Sequence, residues 1–225
     1  MGKGLFITGT GTDIGKTYVT GLIVNTLRRA GYHAGYYKAA VSGAPTVSES
    51  DAGYVNRTAG IQESEALLLS YLYQTAVSPH LAAQIEGHPI EKDVIIAAWQ
   101  KVSAAYSYVT MEGSGGIICP LRHDAKAVYY LENVIQWLHL PSLIIGDAGL
   151  GTINAVTLTA AYMKNRRLPV KGVILNRYTG SLMEKDNIHI IEELTNLPVL
   201  ALVKPGDTCL DIDAQVLASL YEGEV

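Results

Sequence analysis

The sequence of 225 residues is poor in cysteine, in charged residues and in basic residues. Its two cysteines, Cys119 and Cys209, exclude a disulfide framework and match no cysteine spacing of a metal site. The 17 Lys and Arg residues against 21 Asp and Glu give a net charge of −4, which argues against nucleic acid as a partner, because that affinity needs clustered bases. No apolar run approaches the roughly 18 residues of a membrane span. We therefore expect a cytoplasmic globular protein without a membrane partner.

Motifs for two common kinds of chemistry are also missing. The sequence has no Gly-x-Ser-x-Gly turn of the kind that carries a hydrolase nucleophile. Six histidines occur, but none forms a His-x-x-x-His or Cys/His pair with the spacing of metal ligands. The chain is nevertheless 48% hydrophobic, which excludes a disordered protein and indicates a full core.

Short apolar runs alternate with amphipathic stretches along the whole chain. The predicted strands are residues 5–8, 34–38, 108–112, 143–146, 172–176 and 199–203. The predicted helices are residues 16–30, 63–73, 90–107, 129–138, 153–166 and 183–195. Most strands are apolar on consecutive residues, which is typical of parallel strands covered on both faces. The expected fold class is α/β, a single doubly wound, mostly parallel sheet flanked by helices, in one domain over residues 1–225.

A glycine-rich loop follows the first predicted strand. Residues 8–17 read Thr-Gly-Thr-Gly-Thr-Asp-Ile-Gly-Lys-Thr and lead into an amphipathic stretch. Backbone N–H groups and the start of a helix bind anions, Lys16 can reach the outer phosphates and Thr17 can ligate magnesium. Gly9 lies one residue further from Gly15 than in the common form of this loop. The pattern predicts a nucleoside triphosphate site, and the missing Asn-Lys-x-Asp signature of GTPases favours ATP.

Polar residues end several of the apolar strands, where open α/β sheets bind their ligands. Lys38 ends the second strand, and a cation there can stabilise a transferring phosphoryl group. Glu112 costs several kcal/mol if it is buried unpaired, so we expect a metal or cation beside it. Asn176 is expected to face the adenine edge, whose donor and acceptor one amide can read.

Four further segments follow the loop in order: residues 37–43 (Tyr-Lys-Ala-Ala-Val-Ser-Gly), 50–52 (Ser-Asp-Ala), 78–90 (Ser-Pro-His at its start) and 112–116 (Glu-Gly-Ser-Gly-Gly). Together with the expanded loop they resemble the dethiobiotin synthetase family. The resemblance implies a P-loop NTPase fold and a Mg²⁺-dependent cyclo-ligase of biotin biosynthesis. Its substrate, 7,8-diaminononanoate, takes up CO₂ as a carbamate; ATP phosphorylates the carbamate, and the second amine closes the ring. It further implies a homodimer with the active site at or near the interface.

The resemblance also assigns roles to particular residues of this chain. It implies that Lys16 and Lys38 are catalytic and that Thr17, Asp51 and Glu112 are magnesium ligands. The implied ATP-binding residues are Asp13, Ile14, Gly15, Lys16, Thr17, Tyr18, Asp51, Glu112, Gly113, Ser114, Gly115, Asn176, Arg177, Pro205, Gly206 and Asp207. The implied substrate-binding residues are Ser42, Lys38, Gly149, Leu150, Gly151, Thr152 and Asn154.

Plainer roles stay open for some of these positions. Asp51 could simply cap a helix, and Thr152 could be an N-cap after a flexible turn. Asp147, beside the implied carboxylate site, has no assigned role. Where family members place a tyrosine that reaches the substrate carboxylate, this sequence has Asn187 or His189. The residues that hold the carboxylate are therefore undecided.

Two other functions are alternatives. A ParA/MinD-like switch ATPase shares the loop but carries an extra lysine near its start, and here Gly11 stands at that position. Residues 212–221 also contain no Lys or Arg, unlike the basic amphipathic helix that binds a membrane in such proteins. A cobyrinate-type synthetase domain is the second alternative, but it usually comes with a glutaminase domain.

Overall fold

One central sheet organises the computed structural model, which describes residues 2–223. The strands are β1 (Lys3–Gly9), β2 (Ala34–Ser42), β3 (Leu69–Tyr73), β4 (Tyr108–Glu112), β5 (Pro120–His123), β6 (Val128–Tyr130), β7 (Ser142–Asp147), β8 (Val170–Asn176) and β9 (Val199–Leu202). Seven of them form a sheet of order β3-β2-β4-β1-β7-β8-β9, in which every neighbouring pair is parallel. Strands β5 and β6 pair as a separate antiparallel hairpin. The predicted fold class is confirmed.

Helices connect the parallel strands. They are α1 (Lys16–Arg29), α2 (Asp51–Thr58), α3 (Glu65–Leu68), α4 (Pro79–Ile85), α5 (Lys92–Ala105), α6 (Leu131–Leu138), α7 (Thr152–Asn165), α8 (Leu182–Thr195) and α9 (Ala214–Ser219). Helix α1 packs with α2 and α9, whereas α5 packs with α6 and α7 packs with α8. None of the helices within residues 2–223 combines the length and apolar character needed to cross a membrane.

The strand order reverses at β1, and this reversal decides where the site lies. From β1 the chain first crosses to β2 and β3, then returns through β4 and continues outward to β7, β8 and β9. The connections that leave β1 and its neighbour β7 therefore diverge and open a crevice at the carboxyl ends of the strands. Strand β1 is buried from Gly4 to Gly9, which explains its unbroken apolar sequence.

One predicted helix is wrong. Residues 63–73 form a single short helical turn, α3, followed by the edge strand β3. The segment Leu-Ser-Tyr-Leu-Tyr alternates buried and half-buried side chains, which is the period of a strand with one covered face. The prediction also placed Tyr129 and Tyr130 in a helix, whereas they pair in the hairpin β5–β6 and the helix begins at Leu131. Strand β5 was not predicted.

Candidate active site

A cavity of about 490 Å³ lies at the carboxyl ends of β1, β2 and β4. Its floor is the glycine-rich loop, from which Lys16 and Thr17 enter the lining. Lys38 and Ser42 both come from β2, and Glu112 comes from the end of β4. Because β2 and β4 are hydrogen-bonded in register at these two positions, Lys38 and Glu112 are direct neighbours. The two predicted catalytic lysines share one cavity.

Left-handed backbone shapes the glycine-rich loop. Asp13 and Gly15 both have positive φ, 58° and 83° respectively. A Cβ at Gly15 would lie 2.2 Å from the Asn176 side-chain nitrogen, so a side chain is excluded both by conformation and by space. Asn176 is buried, and its amide donates to the carbonyl of Ile14 at 2.9 Å. The residue expected to face adenine therefore also fixes the shape of the loop.

A buried ion cluster joins β2, β4 and the start of α1 and α2. The Lys38 ammonium lies 2.5 Å from Asp51 Oδ2 and 2.7 Å from Glu112 Oε1. The Thr17 hydroxyl donates to Glu112 Oε1 at 2.7 Å, and the buried Tyr36 hydroxyl donates to Glu112 Oε2 at 3.0 Å. Both oxygens of the Glu112 carboxylate are thus engaged by protein donors, and the cation expected beside Glu112 is Lys38.

The charges in this cluster stabilise one another. Burial by itself lowers the pKa of Lys38, but Glu112 and Asp51 outweigh it and the net shift is upward. Burial raises the pKa of Asp51, but the Lys38 ammonium outweighs it and holds the pKa of that carboxyl below its usual value. Burial lowers the pKa of Lys16, and the nearby Lys38 ammonium lowers it further. The two carboxylates therefore favour the charged form of Lys38, and an anion bound at the loop would favour the charged form of Lys16.

The donor set fits a magnesium ion. The Thr17 hydroxyl and the carboxylates of Asp51 and Glu112 are hard oxygen donors, which Mg²⁺ prefers. Asp51 is the accessible member, with 45% of its side chain exposed, whereas the Glu112 side chain is fully buried. Residues 2–223 contain no group of three or more acidic, His or Cys side chains that could form a cage by themselves. Magnesium would therefore depend on phosphate oxygens as well, as it does at many nucleotide sites.

Two further segments with predicted ATP contacts meet near the glycine-rich loop. The Tyr18 hydroxyl on α1 donates to the backbone carbonyl of Asp207 at 2.5 Å, which fixes the turn 205–207 beside the first turn of α1. Arg177 has a positive φ of 59°, and its guanidinium donates to the Asp13 carbonyl of the loop and to Asp147 Oδ2. The turn after β8 is thus hydrogen-bonded to the phosphate loop, and the turn after β9 is hydrogen-bonded to the first turn of α1, which follows that loop.

The next turn of the crevice, after β4, closes the cavity on the other side. The Gly113 amide donates to Ile7 on β1 at 2.9 Å, and a Cβ at this position would lie 2.7 Å from Leu131. The Ser114 hydroxyl donates to the Ala40 carbonyl on β2 at 2.7 Å. Gly115 has a positive φ and lines the cavity with Ser114. These residues hold the backbone of the turn close to the cluster.

The second glycine-rich turn, residues 148–151, lies outside the cavity. None of Gly149, Leu150, Gly151, Thr152 and Asn154 is among its lining residues, although all were predicted to bind substrate. Leu150 is 94% exposed, and Asn154 is exposed as well. In the described part of one chain, this set is therefore not brought together with Lys38 and Ser42.

The contacts of three residues near the site were not predicted from the sequence. Tyr36 holds Glu112, and its spacing of two from Lys38 along β2 could have indicated that both face the cluster. Asp147 holds Arg177 and accepts from the Gly149 amide at 2.9 Å, which explains an acid at this place. Asn187 donates to the carbonyls of Ala148 and Gly149, so it shapes the second turn. Only the folded chain shows the last two contacts.

The fold and the site define a P-loop nucleotide-binding protein. A family model described as an AAA domain matches residues 3–210. Among solved structures, the MinC:MinD cell division complex of Aquifex aeolicus aligns with a TM-score of 0.57 at 12% identity, over 90% of this chain and 81% of that chain. A ParA family ATPase from Chlorobium tepidum aligns with a TM-score of 0.52 at 13% identity, over 92% and 84%. At such identities these likenesses show the fold alone.

Curated relatives are much more similar in sequence. An ATP-dependent dethiobiotin synthetase of Brachyspira hyodysenteriae is 48% identical over 223 residues, which is 99% of this chain and 100% of the relative. One from Clostridium novyi is 44% identical over 208 residues, or 90% and 87%. The chain belongs to the AAA-domain family and, within it, to the ATP-dependent dethiobiotin synthetases. The predicted family and the predicted enzyme class, a cyclo-ligase, are confirmed, and the switch ATPase is not favoured.

Proposed function

We propose that this protein closes the ureido ring of dethiobiotin from 7,8-diaminononanoate, CO₂ and ATP, as a single cytoplasmic ligase domain over residues 1–225, of which residues 1, 224 and 225 lie outside those described. The observation that carries the proposal is the position of Lys38. It stands between the phosphate loop and the segment around Ser42, with its charge held by two carboxylates. ATP bound at the phosphate loop and the diamine bound near Ser42 would therefore both lie beside the Lys38 ammonium.

The residues of the cavity support defined roles. Lys16 lies at the end of the loop, and its ammonium donates to the Gly11 carbonyl at 2.6 Å. It is therefore within reach of an anion that the loop binds. Lys38 stabilises charge on the carbamate and on the phosphoryl group during its transfer. Thr17 and Asp51 would hold magnesium, with Glu112 as the carboxylate behind them. When bound, magnesium neutralises phosphate charge, which lowers the cost of attack by the anionic carbamate.

The nucleotide base would lie beyond the loop, towards the turns after β8 and β9. Asn176, Arg177 and the turn Pro205–Asp207 are the groups proposed to contact it. Their support is that each is tied to the loop or to α1. The loop residues from Asp13 to Tyr18 would hold the phosphates, together with residues Gly113 to Gly115 on the opposite wall.

A homodimer would complete the substrate site. The second turn presents backbone N–H groups at the start of α7, which suits a carboxylate. It lies outside the cavity of its own chain, and it carries the highly exposed Leu150. We infer that the partner subunit supplies residues 149–154 for the substrate carboxylate, whereas Lys38 and Ser42 of the first subunit hold the amines.

Phosphate release with ATP and bicarbonate, with and without the diamine, tests the proposed reaction. We expect release that requires the diamine, and a product whose mass is that of the diamine plus CO₂ minus water. Lys38→Met should slow it by roughly 30- to 150-fold, whereas Lys101→Met, at an exposed lysine of α5, should not slow it. Turnover that ignores the diamine would refute the ligase and favour a switch ATPase.

Mixing two impaired variants tests the shared site. Lys38→Met damages the amine side, and Leu150→Glu places a negative charge beside the proposed carboxylate site at an exposed position. When equal amounts are mixed and the subunits exchange, half of the dimers contain one subunit of each variant. One of the two sites in each mixed dimer is intact, so about a quarter of the wild-type activity should return. Mixed dimers that form without any recovery would place both halves of the site in one chain.

A further inference from the structure

One histidine at the cavity is not explained by nucleotide binding or by the ion cluster. His80 is the second residue of α4, and its Nδ1 lies 3.0 Å from the hydroxyl oxygen of Ser78. Ser78 lines the cavity and precedes α4 as its N-cap, yet its hydroxyl makes no hydrogen bond to the helix amides. A serine at this position normally caps the helix. Here the hydroxyl is paired with the imidazole instead.

The segment that carries Ser78 is fixed against the strand that carries Lys38. The hydroxyl of Ser42, the last residue of β2, donates to the Val77 carbonyl at 2.5 Å. The Gly43 amide donates to the Tyr73 carbonyl at 2.9 Å, which ties the residue after β2 to β3. Ser78 therefore stands on the wall where the amines of the substrate are proposed to lie.

The proposed ring closure needs a proton acceptor, and the other titratable groups of the cavity are unsuited to that task. They are Asp13, Lys16, Lys38, Asp51, Glu112 and Cys119. The pKa of Lys38 is raised by its two carboxylates, so it keeps its proton, and those carboxylates are committed to Lys38. Burial raises the pKa of Cys119 to about 11, so its thiol stays neutral. Asp13 and Lys16 belong to the phosphate loop, where they are proposed to bind the nucleotide.

We propose that Ser78 and His80 form a proton relay for ring closure, an inference that rests on the proposed function. The neutral second amine attacks the carbonyl carbon of the carbamic-phosphoric anhydride. The new N–C bond forms as the C–O bond to phosphate breaks, and its electron pair leaves on phosphate. The amine proton passes to the Ser78 oxygen while the Ser78 hydroxyl proton passes to His80 Nδ1. His80 is half-buried, so the imidazolium then returns its proton to water.

The relay requires His80 to be neutral before the step, so that its Nδ1 can accept the proton from Ser78. The elements packed against α4 are β2, β3 and β5. The charged and titratable side chains of these strands are Tyr36, Tyr37, Lys38, Tyr71, Tyr73, Arg122 and His123. Arg122 is paired with Glu91 and Asp124, the Tyr71 hydroxyl accepts from the Glu91 amide, and the Tyr73 hydroxyl donates to the His88 carbonyl. None of these contacts of Arg122, Tyr71 and Tyr73 involves His80.

His80→Gln and Ser78→Ala test the relay, with His33→Gln, at an exposed position just before β2, as the control. In single turnovers the two variants should form ADP at the wild-type rate but cyclic product about 100-fold more slowly. The acidic limb of the pH profile of ring closure should be present in the wild type and the control and lost in His80→Gln. Ser78→Ala should leave the unfolding free energy unchanged, because Ser78 does not cap α4.

Unchanged ring closure in both variants would overturn the relay. So would an equal slowing of ADP formation and ring closure with the acidic limb retained, because that is the result of a merely structural role. If the wild type itself forms no cyclic product, the proposed function fails and the relay fails with it. If the wild type does form it, any failure belongs to the relay alone.

Discussion

Replacing Lys38 by Met removes the cation that two carboxylates share, and it should cost both activity and stability. Lys38 and Glu112 are the buried pair, with side chains 4% and 0% exposed, whereas the Asp51 side chain is 45% exposed. An exposed partner can turn to water, so the Asp51 contact contributes little. The loss in unfolding free energy should therefore come almost wholly from a Glu112 charge left without its cation.

The magnitude follows from that buried charge. Removing one partner of a buried ion pair costs about 3–5 kcal/mol. Glu112 keeps hydrogen bonds from Thr17 and Tyr36 after the substitution, so we expect the lower value, about 3 kcal/mol at neutral pH. Activity should fall by about 2–3 kcal/mol of transition-state stabilisation, or roughly 30- to 150-fold in kcat/KM, because charge on the transferring group loses its cation.

Urea unfolding and steady-state kinetics on a double-variant cycle separate the two effects. Adding Glu112→Gln to Lys38→Met removes the unpaired charge while the amide can still meet Thr17 and Tyr36. Most of the lost stability should return in the double variant, and activity should not. An unpaired Glu112 charge is not the cause if Lys38→Met unfolds at the same urea concentration as the wild type. The same holds if the loss of unfolding free energy in the double variant equals the sum of the losses in the two single variants.

Three further substitutions probe the same site. Tyr36→Phe leaves Glu112 Oε2 without its donor and should reduce the unfolding free energy by about 1–3 kcal/mol, measured by urea titration. Lys16→Ala should weaken nucleotide binding, measured by calorimetry, and also slow turnover, because the lysine at the phosphate loop serves both steps. The pKa of Asp51 is lowered in the folded protein, so its contribution to stability is present above about pH 4 and lost as pH falls further. The stability difference between wild type and Asp51→Asn should therefore be constant at neutral pH and shrink in acid.

Local pattern predicted the parts of the fold whose signals agree with their surroundings. The strand-loop-helix around the Gly-Lys-Thr sequence was predicted because each of its features is local: an apolar run, glycines at the turn and an apolar-periodic helix. Residues 69–73 were missed because their place at the edge of the sheet is a property of the pairing with β2. The sequence Leu-Ser-Tyr-Leu-Tyr is short and almost continuously apolar or aromatic, so its residue pattern does not separate a strand from more helix.

For the candidate site, too, the sequence predicted the residues but not the contacts between them. Lys16, Lys38, Thr17, Asp51 and Glu112 were all identified from motif and resemblance, and all of them line one cavity. The contacts that decide what they do join residues far apart in the chain. Asp147 pairs with Arg177 across two strands, and Asn176 holds the Ile14 carbonyl of the loop.

Apolar periodicity, glycine spacing and residue identity are local properties of the chain, and they were enough to predict the class of sheet, the phosphate loop and the family. Three features depend on the fold: Lys38 is shared by two carboxylates, Tyr36 supports Glu112, and the second turn lies outside the cavity of its own chain. The strand order places β2, β4 and β1 side by side, which buries Lys38 and Glu112. Because a buried charge without an opposite charge is strongly destabilising, the two side chains pair.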